Sequence, residues 1–268
     1  MSVQEQNLQM ADLLSAYFPK RREPSFAWGN VISMFQMLPG LRGFWPMSSV
    51  DSTPAVFDLS GQGRTLSRTN VTFQWIGLAP TGRWDVATTR YLYRASEAGL
   101  SISGIEGHVS VGYQGLTMGG WFNFDALGSL ETVMSKWNGT GNQRSYFLQK
   151  LAADTIQFGV SLDGGAVNVS SITTTVATTA SAWIFLAGRF RPATDVAVWI
   201  NGNQATNAAA IVASIFASTT QFEIGRLGNA ANYFTGYGSL CFLCAAALPD
   251  YMINLLFELS APLFGVTP

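Results

Sequence analysis

The sequence predicts an all-β fold, a sandwich or jelly roll, with an N-terminal helical arm and a short C-terminal helix. Three observations predict it. Short runs alternate strictly between apolar and polar residues, Gly and Asn turn signals punctuate them, and helical spacing is confined to the two ends. At 268 residues with 48% hydrophobic side chains, one large β domain is a common size and core burial is not limiting.

Residues 1–40 read as helices. Ser2 with Glu5 forms a capping-box pattern, and Leu8, Ala11, Leu14 and Phe18 form an apolar stripe that Pro19 and Lys20–Arg21–Arg22 end. A second helix follows Pro24, with Trp28, Val31, Ile32, Phe35 and Leu38 on one face and Pro39–Gly40 closing it. These helices either pack on their own domain or form an arm that docks on a neighbouring subunit. The docking reading is the one adopted, with Leu8, Leu14, Phe18, Trp28 and Phe35 at the subunit interface. Removal of 1–38 is then expected to leave a folded β domain, and the chain divides into an arm, 1–40, and a sandwich, 41–268.

From Leu41 onward strands dominate. Ile156, Phe158, Val160 and Leu162 alternate with polar or small residues, as in a half-buried strand. Val196, Val198 and Ile200 do the same and run into Asn201–Gly202, a strong hairpin signal. Asp163–Gly164–Gly165 and Asn138–Gly139 mark further turns. Trp183–Phe190 and Gly238–Ala246 are apolar runs of strand length, and the Thr-rich stretch 167–180 suits a strand at a sheet edge. The one helix expected after residue 40 starts at Pro249, with Tyr251, Ile253, Leu256 and Phe257 on its face.

Composition excludes several functions. The net charge of −1 and a pI near 5.8 argue against an electrostatic nucleic-acid binder or a polybasic membrane binder. No basic-then-apolar leader opens the chain. The apolar stretch Ser239–Val266 is split by Pro249–Asp250, and its first piece is too short to span a bilayer. Charged residues are only 12% and mean hydropathy is +0.20, so much of the outer surface is expected to be covered, by other subunits on this reading. Arg outnumbers Lys twelve to three, which suits buried interfacial pairs. Cys241 and Cys244 lie three apart; on a strand they face opposite sides, so they read as inert core thiols rather than a metal or disulfide pair. No two acids lie within two positions of each other, so no strand carries the close carboxylate pair of a retaining glycosidase. His108, the single histidine, lies in a glycine-rich loop with no nucleophile elbow. No enzyme is expected, and no cofactor.

Six segments in order then resemble the laminin-G-like, concanavalin A-like family: GLTMGGWFNFD (115–125), ETVMSKW (131–137), SAWIFLAGRF (181–190), VAVWINGNQ (196–204), FEIGRLG (222–228) and FTGYGSLCFLCAAALPDYMINLLF (234–257). The opening GFWPMSSVDSTPAVFDLSGQGRTL (43–66) resembles that family's first strand and loop. The resemblance implies a two-sheet antiparallel jelly-roll sandwich. The helical N-terminus with LPGLRGFWPMSS and DLSGQGRTL resembles, more narrowly, structural proteins of tailed bacteriophages. That implies a non-enzymatic virion protein made in the bacterial host cytoplasm. On this reading it is a capsid decoration protein held by its arm, with the major capsid protein or tail proteins and further copies of itself as partners. The alternative is a tail or fibre component, or a lectin-like module for host surface glycans. For a lectin the candidate residues are Trp137 and Asn138, with Asn229, Asn232 and Tyr233, since sugars are held by aromatic platforms beside amides. Asn residues there also simply make turns. Asp58 matches a family loop that in some members helps hold Ca²⁺, but few carboxylates lie nearby and a turn former is the plainer reading.

Overall fold

The computed structural model describes residues 24–48, 55–85, 89–106, 113–228 and 230–268. Leu8, Leu14, Phe18, the loop with His108, and Asn229 lie outside them. Among the described residues each of two antiparallel sheets has eight strands. The first sheet runs β14 (Asn203–Asn207), β13 (Asp195–Ile200), β12 (Trp183–Arg191), β7 (Leu116–Phe124), β16 (Gly236–Cys244), β5 (Ala79–Trp84) and β4 (Thr72–Ile76). Strand β1 (Leu41–Trp45) joins β16 beyond β5, on the far side of an irregularity near Leu240. The second sheet runs β11 (Val169–Ala177), β10 (Thr155–Ser161), β9 (Gln143–Lys150), β8 (Glu131–Asn138), β15 (Phe222–Ile224), β6 (Tyr91–Arg94), β3 (Leu66–Thr69) and β2 (Ala55–Val56). The Thr-rich stretch is the edge strand β11, as its composition predicts.

Period-two alternation builds the core between the sheets. Ile184, Leu186 and Phe190 of β12 face Met134, Leu148, Phe158 and their neighbours across the gap. Gly188 breaks that series because a Cβ there would sit 2.2 Å from the Phe158 ring. Asn201–Gly202 is the predicted two-residue turn, with φ of 47° and 80°, the left-handed pair a tight hairpin requires. Cys241 faces the inter-sheet core and Cys244 the opposite side, both fully buried, as strand geometry dictates.

The central strands of the first sheet, β7, β12, β13 and β16, are buried on both faces. The sheet's outer side carries Trp121, Phe185, Trp199 and Phe242, and two helices cover them: α1 (Pro24–Gln36) and α2 (Asp250–Ser260). Trp121 donates its indole N–H to Ser260 Oγ at 2.7 Å and stacks on Phe264 at 4.4 Å. Helix α1 lies on its own sandwich. Phe35 is fully buried, stacked on Phe44 at 4.9 Å and edge-on to Phe242 at 5.4 Å. This corrects the arm reading for the second helix: Phe35 spends its apolar surface inside its own domain and has none left for a neighbouring subunit. Deleting 1–38 would strip Val31, Met34 and Phe35 from the core, at roughly 1.5–3 kcal/mol for each large side chain. Trp28, half-buried, packs edge-on against Trp75 of β4 at 6.0 Å. The apolar run 239–248 is mostly strand β16, and among the described residues no helix is long and apolar enough to cross a membrane.

Candidate functional site

Among the described residues no helix lies on the outer face of the second sheet. Cross-strand partners share a face, so the register identifies what points outward. The row Leu92, Ile224, Met134, Leu148, Phe158, Ile172 points into the core. The neighbouring row Ser67, Tyr93, Glu223, Ser135, Phe147, Gly159, Ser171 therefore points out. Beside it lie the amides of Gln149 and Gln157, hydrogen-bonded at 2.8 Å. Phe147 lies over Gly159, where a Cβ would come within 2.7 Å of its ring. Trp137 then meets Phe147 edge-to-face at 4.7 Å, which places the half-buried indole on the outer side at the end of β8.

A loop folds across this end. After β15 the chain leaves β8 at Gly225, whose N–H bonds the Val133 carbonyl at 2.9 Å, and returns at Asn232, whose carbonyl accepts from Thr132 N–H at 2.8 Å. Between them Gly228 donates its N–H to the Trp137 carbonyl at 3.0 Å, and the Asn138 side-chain amide donates to the Gly228 carbonyl at 3.2 Å. The loop thus runs along β8: its Gly228 touches Trp137–Asn138, while Asn232 returns beside Thr132, five residues back along the strand, so the two sequence-predicted groups lie at opposite ends of one loop. Asn138 also makes the predicted turn, its Oδ1 accepting from Thr140 N–H at 2.8 Å. Asn232 and Tyr233 are half-buried.

Residues that the sequence reading missed complete the corner. Arg226 lies 3.4 Å from the Tyr91 ring centroid and donates Nε–H to Glu223 Oε1 at 2.9 Å. Burial works against its charge, but the hydrogen bonds and charge of Glu223, with a further bond to Tyr233, hold the Arg226 pKa above its ordinary value. Glu223 is fully buried; Oε1 also accepts from Gln221, while Oε2 has no hydrogen-bond partner among the described residues. Tyr91 and Tyr93 lie side by side at 5.5 Å. The loop is therefore flanked by the rings of Tyr91 and Tyr233 about Arg226 and by Trp137 and Asn138 at Gly228, with Tyr93 and one ion pair in the row between them. Such a surface can hold a polar, ring-shaped ligand by ring contact and hydrogen bonds.

Asp58 plays another part. Its carboxylate accepts four hydrogen bonds from its own surroundings: Phe44 N–H at 3.0 Å, Ser60 N–H at 2.8 Å, Ser60 O–H at 2.7 Å and Arg64 N–H at 2.7 Å. It is the loop's organiser, and among the described residues no three acids, His or Cys cluster as a metal site.

The family model described as the concanavalin A-like lectin/glucanases superfamily matches residues 100–238, just over half of the chain. The chain belongs to this superfamily. The match runs from β7 to the start of β16 and contains Trp137, Asn138 and the Gly225–Asn232 loop, but not Tyr91 and Tyr93. Among solved structures the chain is similar to the binding domain of Paraclostridial Mosquitocidal Protein 1, with a TM-score of 0.64 at 14% identity over 85% of this chain and 55% of that one. It is similar to the botulinum neurotoxin serotype G binding domain, with a TM-score of 0.62 at 10% identity over 82% and 51%. A third is a botulinum neurotoxin type C structure, whose cell entry depends on two ganglioside molecules, with a TM-score of 0.58 at 13% identity over 86% and 52%. At these identities the likeness is one of fold, and the chain spans about half the length of each of these structures. The sequence matches no curated protein.

Proposed function

We propose that this superfamily member is a lectin-like module that binds a glycan on the outer face of its second sheet, at the Trp137 corner. The observation that carries the reading is the Gly225–Asn232 loop along β8, whose Gly228 holds Trp137 and Asn138 at one end while its Arg226 lies over Tyr91 at the other. The structural neighbours support it: two are named as binding domains, and the third is named for interaction with two ganglioside molecules. The module acts by binding and not by hydrolysis. A retaining hydrolase needs two carboxylates about 5 Å apart; here Glu223 is tied to Arg226, and the nearest strand acid, Glu131, is paired with Lys150 at 3.5 Å. A glycan array with the wild-type chain and Trp137→Ala tests this reading. Binding to one glycan class, weakened at least tenfold in the variant, is expected; an array without a hit refutes it.

A second reading concerns where the module sits. We read it as a component of a bacteriophage particle, at the capsid surface or in a tail or fibre, assembled with virion proteins and further copies of itself. Two observations favour burial in an assembly: only 12% of residues are charged, and Trp75, Met37 and Phe57 are 64%, 60% and 53% exposed. Light scattering of the chain with and without residues 1–23, which leaves α1 in place, tests the contact: a smaller particle on deletion supports it, and an unchanged one rejects it.

A further inference from the structure

Arg144 of β9 is the cross-strand partner of Trp137, so the two side chains leave the second sheet on the same, outer face. Among the described residues the outward rows of this sheet carry two charged strand residues, Glu223 and Arg144. Glu223 is answered by Arg226. Arg144 has no ion pair among the described residues; its side-chain bonds go to neutral oxygens. Asp163, in the turn after β10, is engaged inside that turn: its carboxylate accepts from Gly165 N–H at 2.8 Å and from the Asn168 amide at 2.7 Å. The Arg144 guanidinium is held in place. Nη1 donates to Asn142 Oδ1 and to the Gly164 carbonyl, both at 3.1 Å. Nη2 lies over Gly139, 3.1 Å from where a Cβ would stand. The guanidinium therefore sits at the exposed turn Thr140–Asn142, beside the end of β8 that carries Trp137 and Asn138. Its Nε and Nη2 make no hydrogen bond among the described residues, and in this half-buried side chain neither is sealed from solvent. One edge of the fork is fixed and the other is open.

We infer that the glycan bound beside Trp137 is acidic: a pyranose bearing a carboxylate, which the Nε–Nη2 edge of Arg144 receives. The inference rests on the lectin reading above and names its ligand class. Opposed residues on paired strands hold their Cβ atoms about 5 Å apart, so one sugar can meet both side chains. A carboxylate is planar and meets a guanidinium edge with two parallel hydrogen bonds. Such charge-assisted bonds are about twice as strong as neutral ones. With Nη1 tied to Asn142 and Gly164, little side-chain freedom is left to lose on binding. One open cation balances one negative charge. A phosphate monoester, with a charge near −2 at neutral pH, is balanced only in part.

The test titrates sugar acids and their methyl esters into the full chain by calorimetry. The probes are the methyl glycosides of glucuronic acid and of N-acetylneuraminic acid, the methyl ester of each, and glucose 6-sulfate. An ester keeps the shape of its acid and removes the charge; the sulfate keeps the charge and removes the planar group. Expected is saturable binding of one acid, with its ester and the sulfate at least tenfold weaker. Which acid binds distinguishes a uronate from a nonulosonate as the source. Arg144→Gln should bind that acid no better than the wild type binds its ester, and Arg144→Lys should recover only part of the loss. Equal binding of acid and ester by the wild type overturns the inference, as does binding of neither acid, and both outcomes are read without any variant. Tighter binding of the sulfate overturns the carboxylate. A neutral glycan from the array, lost in Trp137→Ala and kept in Arg144→Gln, overturns the acidic class and leaves the lectin reading standing.

Discussion

Gly228→Ala should detach the loop that closes the glycan corner while leaving the sandwich folded. A Cβ at Gly228 would sit 2.6 Å from the Trp137 carbonyl oxygen and 3.3 Å from Thr220 Oγ1. The carbonyl belongs to β8, paired on its other side with β9, so it is the loop that must retreat. Two hydrogen bonds break with it, Gly228 N–H to Trp137 and Asn138 to Gly228. At about 1 kcal/mol each the loss is roughly 2 kcal/mol. That is a modest part of the 5–15 kcal/mol typical of a folded domain, so the fold should survive. Urea unfolding should show a lower midpoint at unchanged slope, with the far-ultraviolet circular dichroism of the wild type. Glycan binding should weaken at least tenfold, because the loop no longer holds Trp137 and Asn138 through Gly228. A Gly228→Ala chain with wild-type stability and wild-type binding would refute the reasoning.

Other expectations follow from the buried groups. Burial lowers the Lys136 pKa from 10.5 to about 8, while its ammonium bonds Ser96 Oγ at 2.9 Å and the Ser218 carbonyl at 2.8 Å. Between those two values the unfolded chain binds more protons than the native one, so stability rises with pH, by roughly 3 kcal/mol across the window. The wild-type-minus-Lys136→Met difference should show that rise, and a flat difference from pH 8 to 10.5 would contradict it. Burial pushes both cysteine thiols well above their ordinary pKa, so neither should react with a thiol reagent at pH 8 until denaturant is added. Asp58→Ala removes the acceptor for four hydrogen bonds and should cost about 3 kcal/mol in urea unfolding, while added calcium should leave wild-type stability unchanged.

Local features of the fold were legible because their causes are local. The Asn201–Gly202 turn, the alternation of β10 and the opposite facing of Cys241 and Cys244 follow from backbone geometry within a few residues. What covers the apolar surface was not legible. The stripe Val31, Phe35, Leu38 looks the same whether it faces its own sheet or a neighbour's, and the low charge reports covered surface without saying by what. Part of the answer is intramolecular: α1 and α2 bury the outer face of the first sheet, so β12 and β16 read as continuous apolar runs. The site was half legible. Trp137–Asn138 and Asn232–Tyr233 stood out as aromatic-amide pairs, but the loop that links them along β8 depends on a contact ninety residues apart in sequence, Asn138 to Gly228. Arg226 and Tyr91 were missed because a cation over a ring across strands leaves no mark in spacing; Glu223, three residues before Arg226, was the one available hint.

The central claim is that a glycan docks beside Trp137 on the outer face of the second sheet. The most direct test follows the indole N–H resonances of the eight tryptophans while the glycan selected on the array is added. Trp75, 64% exposed on the other sheet, is the internal control. The account predicts that the Trp137 signal shifts with saturation while the Trp75 signal stays. A Trp75 signal that moves while Trp137 stays would contradict it.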